Sequence, residues 1–159
     1  MINCVVAVEQ GQGIGFNGLM PWPHLKGDMS WFKQLTTDNV VIMGSTTWAS
    51  LGKALPNRIN MVVSRWAKPG ADHRYFSLED AIYASKFIYP EKEIFIIGGQ
   101  ALYDSAMSLV DKFYVTEIQA SYQCDKFFNL DYVKQTCPLI KEHVQYTEPI
   151  PYNMKEYSR

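Results

Sequence analysis

The clearest chemical signal in the sequence is one acidic residue among apolar ones. Asp28 falls on the apolar stripe of a predicted helix, whose other members are Leu25, Met29, Phe32 and Leu35. A half-buried carboxylate at that position can accept two hydrogen bonds from a planar N–C–NH₂ edge, and such a pair is charge-assisted. Burial should raise the pKa of this acid, and a bound cation should lower it. The spacing leaves a second interpretation open, a first-turn acid that the helix dipole favours.

A glycine-rich segment precedes this helix. Gly13, Gly15 and Gly18 match the pattern G-x-G-x-x-G after an apolar run. A dinucleotide-binding turn needs a helix directly after that pattern, but Pro21 and Pro23 follow it here. We therefore interpret residues 9–24 as a lid over a pocket, with a purely structural loop as the alternative.

Three other segments suit anionic groups. Gly98-Gly99 lies between an apolar run and a predicted helix, where bare backbone either cradles a phosphate or forms a tight structural turn. Arg58 precedes a predicted strand and can hold a carboxylate through two hydrogen bonds, although a solvated arginine fits the same position. Ser64 and Arg65, at the end of that strand, are candidate phosphate contacts of the same kind.

Alternating strands and helices must position these residues. The apolar patterns predict strands over residues 2–8, 40–43, 59–64, 93–97 and 112–118. They predict helices over residues 25–37, 46–51, 77–86 and 100–107. This alternation indicates a largely parallel sheet with helices on both faces. Strand-like segments between residues 139 and 157 indicate antiparallel strands added at one edge.

The composition limits the class of protein. The chain has 159 residues, enough for one domain, and a net charge of −1 from 15 basic and 16 acidic residues. No long run of one sign appears, so a nucleic-acid partner is not expected. No apolar run approaches the roughly 20 residues of a membrane span, and no signal peptide is visible. The three cysteines lack disulfide or metal spacing, which predicts free thiols in a reducing cytosol, and no metal site is expected.

Taken together, these segments resemble dihydrofolate reductase from residue 2 to about residue 157. Each motif alone is weak, but their order and spacing are specific. The motifs are Ala7, Gly13-Ile-Gly15, Met20-Pro-Trp22, Asp28 with Trp31-Phe32-Lys33, Ile42-Met-Gly44 with Thr47 and Trp48, Leu55-Pro-Asn-Arg58, Ile97-Gly-Gly99 with Tyr103, and Thr116.

The resemblance implies both a fold and an activity. The fold would be a single α/β domain over residues 1–159, with a mixed, mostly parallel eight-stranded sheet, helices on both faces and antiparallel C-terminal strands. The activity would be NADPH-dependent reduction of 7,8-dihydrofolate to 5,6,7,8-tetrahydrofolate, which supplies one-carbon metabolism for thymidylate, purine and amino-acid synthesis. The protein would be a cytoplasmic monomer that binds antifolate inhibitors.

The resemblance also assigns roles to individual residues. Asp28 would hold N3 and the 2-amino group of the pterin, with Thr116 supporting it through its hydroxyl or a water. Met20 and Trp22 would belong to the lid over nicotinamide and pterin, and Arg58 would grip the glutamate α-carboxylate. In the family the proton reaches pterin N5 from water and the hydride reaches C6. Asp28 would therefore influence catalysis indirectly, by setting the orientation and electronic state of the ring.

Two sets of lining residues follow from the resemblance. The substrate pocket would be completed by Val6, Ala7, Met29, Phe32, Leu51, Leu55 and Ile97. The cofactor site would be lined by Ala7, Ile14, Gly15, Gly44, Ser45, Thr46, Thr47, Ser64, Arg65, Gly98, Gly99, Gln100, Ala101, Leu102 and Tyr103.

The sequence departs from the family pattern at three positions. Ser45 stands where the family usually has a basic residue, so a cation near the cofactor phosphates is lost, and Arg65 is a candidate replacement. His24 makes the lid one residue longer than in the common bacterial form. Cys124 stands where a glycine is common, before Asp125, which would contact the lid.

Two other functions are compatible with the same fold. A related reductase of the same fold acts on a pyrimidine intermediate of flavin synthesis, but the set of Asp28, Phe32 and Arg58 suits a folate better. A binding or structural protein that has kept the fold and lost turnover belongs to a different class, and no essential residue is visibly missing. An assay of NADPH oxidation with dihydrofolate separates these alternatives.

Overall fold

Ten strands and five helices make up the fold, which a computed structural model describes for residues 1–159. The strands are β1 (Ile2–Val8), β2 (Gly13–Gly15), β3 (Val40–Gly44), β4 (Ile59–Val63), β5 (His73–Tyr75), β6 (Ile94–Ile96), β7 (Lys112–Ile118), β8 (Lys126–Phe127), β9 (Leu139–Tyr146) and β10 (Tyr152–Ser158). The helices are α1 (Lys26–Thr36), α2 (Ser45–Leu51), α3 (Leu78–Ile88), α4 (Gln100–Ala106) and α5 (Leu130–Thr136).

Eight of the strands form one sheet in the order β5-β4-β3-β6-β1-β7-β10-β9. β10 runs antiparallel to both of its neighbours, and every other pair in this sheet is parallel. β2 and β8 form a separate two-stranded ribbon. The prediction of a mostly parallel sheet with antiparallel pairing at its C-terminal edge is confirmed.

The sheet separates two apolar layers. On one face, residues of α3, α4 and α5 join the largest core cluster, which includes Leu78, Leu102 and Leu130. On the other face α1 packs through Trp31 and Phe32 into two smaller clusters. The prediction of helices on both faces is therefore confirmed, and α1 carries Asp28 on the face opposite α3, α4 and α5.

Several element boundaries differ from the sequence-based prediction. The first helix begins at Lys26, with Leu25 as its N-cap residue, and the predicted strands over 59–64 and 93–97 are shorter. Ser77 caps α3 as expected, because its side chain accepts a hydrogen bond from the backbone N–H of Asp80 at 3.1 Å.

Four short elements were not predicted: β2, β5, β8 and α5. The first three have two or three residues each, too few for a periodic apolar pattern to show. A signal for α5 was present, because Asn129 precedes Leu130 and caps the helix by accepting a hydrogen bond from the N–H of Tyr132 at 3.1 Å. None of the five helices combines the length and the apolarity that crossing a bilayer requires.

Candidate active site

Asp28 lies in the first turn of α1 and meets Thr116 of β7 across the pocket. The Thr116 hydroxyl donates a hydrogen bond of 2.6 Å to Asp28 Oδ1, and no protein group donates to Oδ2. Burial raises the pKa of Asp28, while the bond from Thr116 and the charge of His24 partly offset that rise. One carboxylate oxygen is thus held in place and the other is free to accept a ligand hydrogen.

Two tyrosines of the C-terminal strands fix the start of α1. Tyr152 Oη accepts a hydrogen bond of 3.0 Å from the backbone N–H of Gly27, the residue before Asp28. The rings of Tyr146 and Tyr152 stack with centroids 4.9 Å apart. A Cβ at Gly27 would lie 2.5 Å from Tyr146 Cζ and 2.7 Å from Tyr152 Oη, so a larger residue would force the two rings to move. The position of Asp28 therefore depends on residues more than a hundred positions along the chain.

A groove runs along the outer face of α1. It encloses about 380 Å³ and is lined by Met29, Phe32, Leu55 and Arg58, together with His24, Lys26, Ser30 and Lys33. Arg58 is held by two hydrogen bonds, from Nε to the carbonyl of Pro56 at 2.8 Å and from Nη1 to Thr36 Oγ1 at 3.1 Å. An apolar floor with a fixed guanidinium and neighbouring cations suits an elongated ligand that ends in carboxylates.

Backbone without side chains lies where β3 and β6 end, at Gly44 and at Gly98-Gly99. The N–H of Gly44, at the end of β3, donates to the carbonyl of Gly98 at 2.8 Å. α2 begins after Gly44 and α4 begins after Gly99, and neither helix has a side-chain N-cap. Gly98 has a φ of 124°, which other residues rarely adopt. Two uncapped helix starts, one hydrogen bond apart, suit the phosphates of a dinucleotide.

The lid packs against the segment 119–125, which joins β7 to β8. Trp22 is buried and meets the ring of Tyr122 edge-on, with centroids 6.2 Å apart. Asp125 accepts from the N–H of Asn17 at 3.0 Å and donates its own N–H to Gly15 at 2.9 Å. Met20, at the outer part of the lid, is exposed. The structure thus confirms the expected contact between Asp125 and the lid.

Comparison with known proteins identifies this arrangement. The family model for dihydrofolate reductase matches residues 1–159. The chain is 38% identical over 145 residues to the viral dihydrofolate reductase of Saimiriine herpesvirus 2 (strain 488), covering 80% of this chain and 68% of that relative. It is 33% identical over 183 residues to the dihydrofolate reductase of Sus scrofa, covering 99% of this chain and 97% of the relative. It is also 36% identical over 140 residues to dihydrofolate reductase type 9 of Escherichia coli, covering 84% of this chain and 78% of the relative.

The chain belongs to the dihydrofolate reductase family. Members of the dihydrofolate reductase family use NADPH to reduce 7,8-dihydrofolate to 5,6,7,8-tetrahydrofolate, and this is the activity of the chain. The pterin is a small-molecule substrate, and the family binds antifolates. The bare backbone around Gly44 and Gly98 fits the phosphates of such a cofactor.

One pocket residue suggested by the family resemblance points the wrong way. The side chain of Val6 packs into the core cluster that contains Ile42 and Tyr103, on the face away from α1. Val5 instead points toward α1, because it lies in the cluster against which Phe32, Leu55 and Ile97 pack. Successive side chains of a strand point to opposite faces, so a shift of one residue reverses the face. Leu51 lies at the end of α2 and is partly exposed, and Ala7 pairs with Thr116 across the β1–β7 ladder.

The residues expected at the cofactor differ in what their side chains do. Leu102 and Tyr103 are buried, and the Tyr103 hydroxyl donates to the carbonyl of Val5 at 2.7 Å. Tyr103 also packs against the glycine turn, since a Cβ at Gly98 would lie 3.4 Å from its hydroxyl oxygen, and Leu102 points into the core rather than toward a ligand. Gln100 is also engaged, because its Oε1 accepts the N–H of Phe127 at 2.9 Å.

The remaining cofactor candidates lie around these strand ends. A Cβ at Gly98 would lie 3.4 Å from Thr47 Oγ1, so Thr47 is adjacent to the glycine turn. Ser64 follows β4 and accepts from the N–H of Trp66 at 3.1 Å, and Arg65 beside it is exposed. Others in this set lie at the start of α2, in β2 or on the outer side of α4, and these are Ser45, Thr46, Ile14, Gly15 and Ala101.

Four residues that shape the site were missed in the sequence. Val5 stands in an apolar strand that is buried on both faces, so alternation gave no sign of its direction. Gly27 and Tyr152 act through a contact between distant segments, which local spacing does not reveal. Glu9 follows β1 and is only 4% exposed; an acid directly after a buried strand was the available signal.

Proposed function

We propose that Asp28 binds the amidine-like edge of the pterin, N3 and the 2-amino group, through its carboxylate. The observation that carries this proposal is the bond from Thr116 to Oδ1 together with a free Oδ2. An ionised carboxylate in a half-buried site pairs strongly with a planar N–C–NH₂ group, because little water competes for either partner. The remaining acceptor capacity of Thr116 then serves the same amino group.

The rest of the substrate follows the groove along α1. In this proposal the pterin packs against Val5, Ala7 and Phe32, and the benzoyl part lies between Met29, Leu51, Leu55 and Ile97. The glutamate α-carboxylate pairs with Arg58, whose orientation is set by Pro56 and Thr36 before any ligand binds. A preset guanidinium loses little freedom when it forms a two-bond pair.

The chain's own residues orient and protect the reacting atoms. When bound, NADPH supplies the hydride that the reaction needs. In this proposal Trp22 and Met20 of the lid close over the reacting face and limit access of bulk water. Asp28 holds the far edge of the ring, so it sets the tilt and the electron density of the pterin without reaching N5. The proton for N5 then comes from a water that the closed lid admits.

For the cofactor, we assign the phosphates to the backbone of Gly98 and Gly99 and to the starts of α2 and α4, which follow Gly44 and Gly99. Thr47 borders that turn, and Ser64 and Arg65 lie at the end of β4. Ser45 leaves this site without the usual cation, and the exposed Arg65, which follows the neighbouring strand β4, is the candidate replacement. Arg65 would pair with the 2′-phosphate, which NADPH carries and NADH lacks.

The assignment of Arg65 predicts a change in cofactor discrimination. We expect Arg65→Ala to raise the Kd for NADPH about tenfold or more, because a charge-assisted bond to a phosphate is lost. The Kd for NADH should change less than about twofold. Both constants are measured by quenching of protein fluorescence on titration. An equal rise in the Kd for both cofactors would contradict the assignment of Arg65 to the 2′-phosphate.

The activity itself is tested with purified wild-type protein. NADPH oxidation, followed by absorbance, should depend on added dihydrofolate and should yield tetrahydrofolate. The pyrimidine substrate of the related flavin-pathway reductases should not be reduced at a comparable rate. If neither substrate supports NADPH oxidation, the result would indicate a binding protein without turnover. Reduction of the pyrimidine alone would indicate the related reductase.

We also propose that residues 1–159 act as one catalytic domain, and that the protein works as a monomer in the cytoplasm without nucleic-acid or membrane partners. The small net charge of −1 and the three free thiols support this setting. Sedimentation at micromolar concentration tests the oligomeric state directly.

A further inference from the structure

Glu9 is a buried carboxylate for which the chemistry of folate reduction has no use. It follows β1 directly, and only 4% of the residue is exposed. Its Oε2 accepts the backbone N–H of Gly13 at 2.5 Å, and its Oε1 accepts the N–H of Tyr122 at 3.1 Å. The nearby backbone N–H of Gly11 also favours the charged form of this carboxylate and lowers its pKa. An acid at this depth is rare unless such donors surround it.

These donors come from two different segments of the chain. Gly11 and Gly13 belong to the base of the lid, whereas Tyr122 belongs to the segment 119–125, which follows β7 in the chain. The backbone of the two segments is also joined directly, by the N–H of Gln10 and the carbonyl of Ala120 at 3.1 Å. Glu9 is thus the charged centre of the junction between them.

The junction leaves no room for a side chain at Gly13. A Cβ added at Gly13 would lie 2.8 Å from Glu9 Oε2 and 2.2 Å from the sulfur of Cys124.

Burial by itself would raise the pKa of Glu9, but the backbone N–H groups of Gly13, Tyr122 and Gly11 outweigh it and hold that pKa below its usual range. The carboxylate is therefore ionised at neutral pH, and its charge strengthens the bonds from Gly13 and Tyr122.

Tyr122 links Glu9 to Trp22 of the lid. Its backbone N–H is bound to Glu9, and its ring packs edge-on against Trp22 at 6.2 Å. Three residues further on, Asp125 binds the lid backbone at Gly15 and Asn17. The segment that Glu9 holds in place is the same segment on which the lid rests.

We propose that Glu9 is a positioning residue of the lid, whose carboxylate fastens the lid base to the segment 119–125 and so keeps Trp22 over the pocket before ligands bind. The proposal deepens the function proposed above, since it rests on the assignment of residues 9–24 as the lid of that site. Glu9 touches neither substrate nor cofactor. It acts through the backbone of Gly13 and Tyr122 and through the Tyr122 ring.

The test is Glu9→Gln, which keeps the shape of the side chain and removes its charge. The amide presents one oxygen and an NH₂ group, so either the N–H of Gly13 or the N–H of Tyr122 loses its acceptor. In the ligand-free protein we expect amide hydrogen exchange in peptides covering residues 13–22 and 119–125 to accelerate about tenfold. Exchange in β3 and β6, at the centre of the sheet, should change less than about twofold in the same samples.

Asp131→Asn is the matched control. Asp131 also touches the lid base, because it accepts from Gln12 Nε2 at 3.0 Å, but it is exposed and does not bridge to the segment 119–125. This variant should leave lid exchange at the wild-type rate. Equal acceleration in both variants, or acceleration of the whole sheet in Glu9→Gln, would overturn the proposal in favour of a general structural role.

A kinetic comparison separates the proposal from the function on which it rests. Glu9→Gln should slow single-turnover hydride transfer about five- to tenfold, while the Kd for folate in the absence of cofactor changes less than about twofold. Hydrogen exchange needs no turnover, so it reports on the lid even if the dihydrofolate assay fails. Unchanged exchange with normal activity would contradict the role of Glu9 alone.

Discussion

Asp28→Asn is expected to lower kcat/KM for dihydrofolate about 100-fold or more at neutral pH, because each hydrogen bond to a charged partner contributes roughly 1.5–3 kcal/mol. The amide cannot accept two bonds from the pterin edge, since one of its two polar atoms is a donor. The Thr116 contact survives in the variant, because an amide oxygen still accepts from the hydroxyl. Initial rates of NADPH oxidation over a range of dihydrofolate concentrations give the value.

The same substitution should make the ligand-free protein more stable. Burial raises the pKa of Asp28 above its ordinary value of 3.8, so the ionised form is destabilising in the folded state. Below that value the carboxyl is protonated in both folded and unfolded chains, and the variant and the wild type should unfold alike. As the pH rises through the folded-state pKa, the wild type should lose stability relative to Asp28→Asn, and the difference should then stay constant.

Urea unfolding at several pH values measures this difference. A variant that loses activity and gains stability identifies a functional carboxylate held at an energetic cost. A variant that loses both would indicate that Asp28 serves the fold. Unchanged turnover at neutral pH would remove the role assigned to this residue.

Arg58→Gln should raise the KM for dihydrofolate about 30-fold or more, because a two-bond pair with the glutamate α-carboxylate is lost. The value of kcat should change little, since this contact is made equally in the ground state and the transition state. The variant should also remain folded, because Arg58 makes only two hydrogen bonds to the protein and lies at the edge of the groove.

A shortened substrate provides the control for Arg58. A dihydropterin without the benzoylglutamate tail should be reduced equally well by the wild type and by Arg58→Gln. Lys33→Gln, which removes an exposed cation from the same groove, should raise the KM only about twofold. A similar loss with the shortened substrate would show that Arg58 acts on the fold of the pocket instead.

Local patterns predicted the elements that carry the chemistry. The apolar stripe around Asp28 placed this acid on a helix, and Pro21 and Pro23 ruled out a dinucleotide-binding turn at the glycines of the lid. Alternating strands and helices gave the parallel sheet and both helical layers. These features depend on neighbours within a few residues, and for that reason the sequence displays them.

Contacts between distant segments could not be predicted in this way. The hydroxyl that holds the start of α1 comes from Tyr152, and the carboxylate that joins the lid to the segment 119–125 comes from Glu9. The direction of Val5 and Val6 was also hidden, because β1 is apolar on both faces and the two alternating sets look alike. Pairing across the sheet decides each of these, and the family pattern supplied only part of that information.

The most direct test of the role of Asp28 is the ultraviolet difference spectrum of a bound 2,4-diaminopyrimidine antifolate. At a pH above the pKa of the free probe, the wild type should bind it in its protonated form, because the buried carboxylate supplies the matching charge. In Asp28→Asn the probe should bind about 100-fold more weakly and in its neutral form. A neutral probe in the wild type, or equal affinity for both proteins, would contradict the assignment of Asp28 as the pterin anchor.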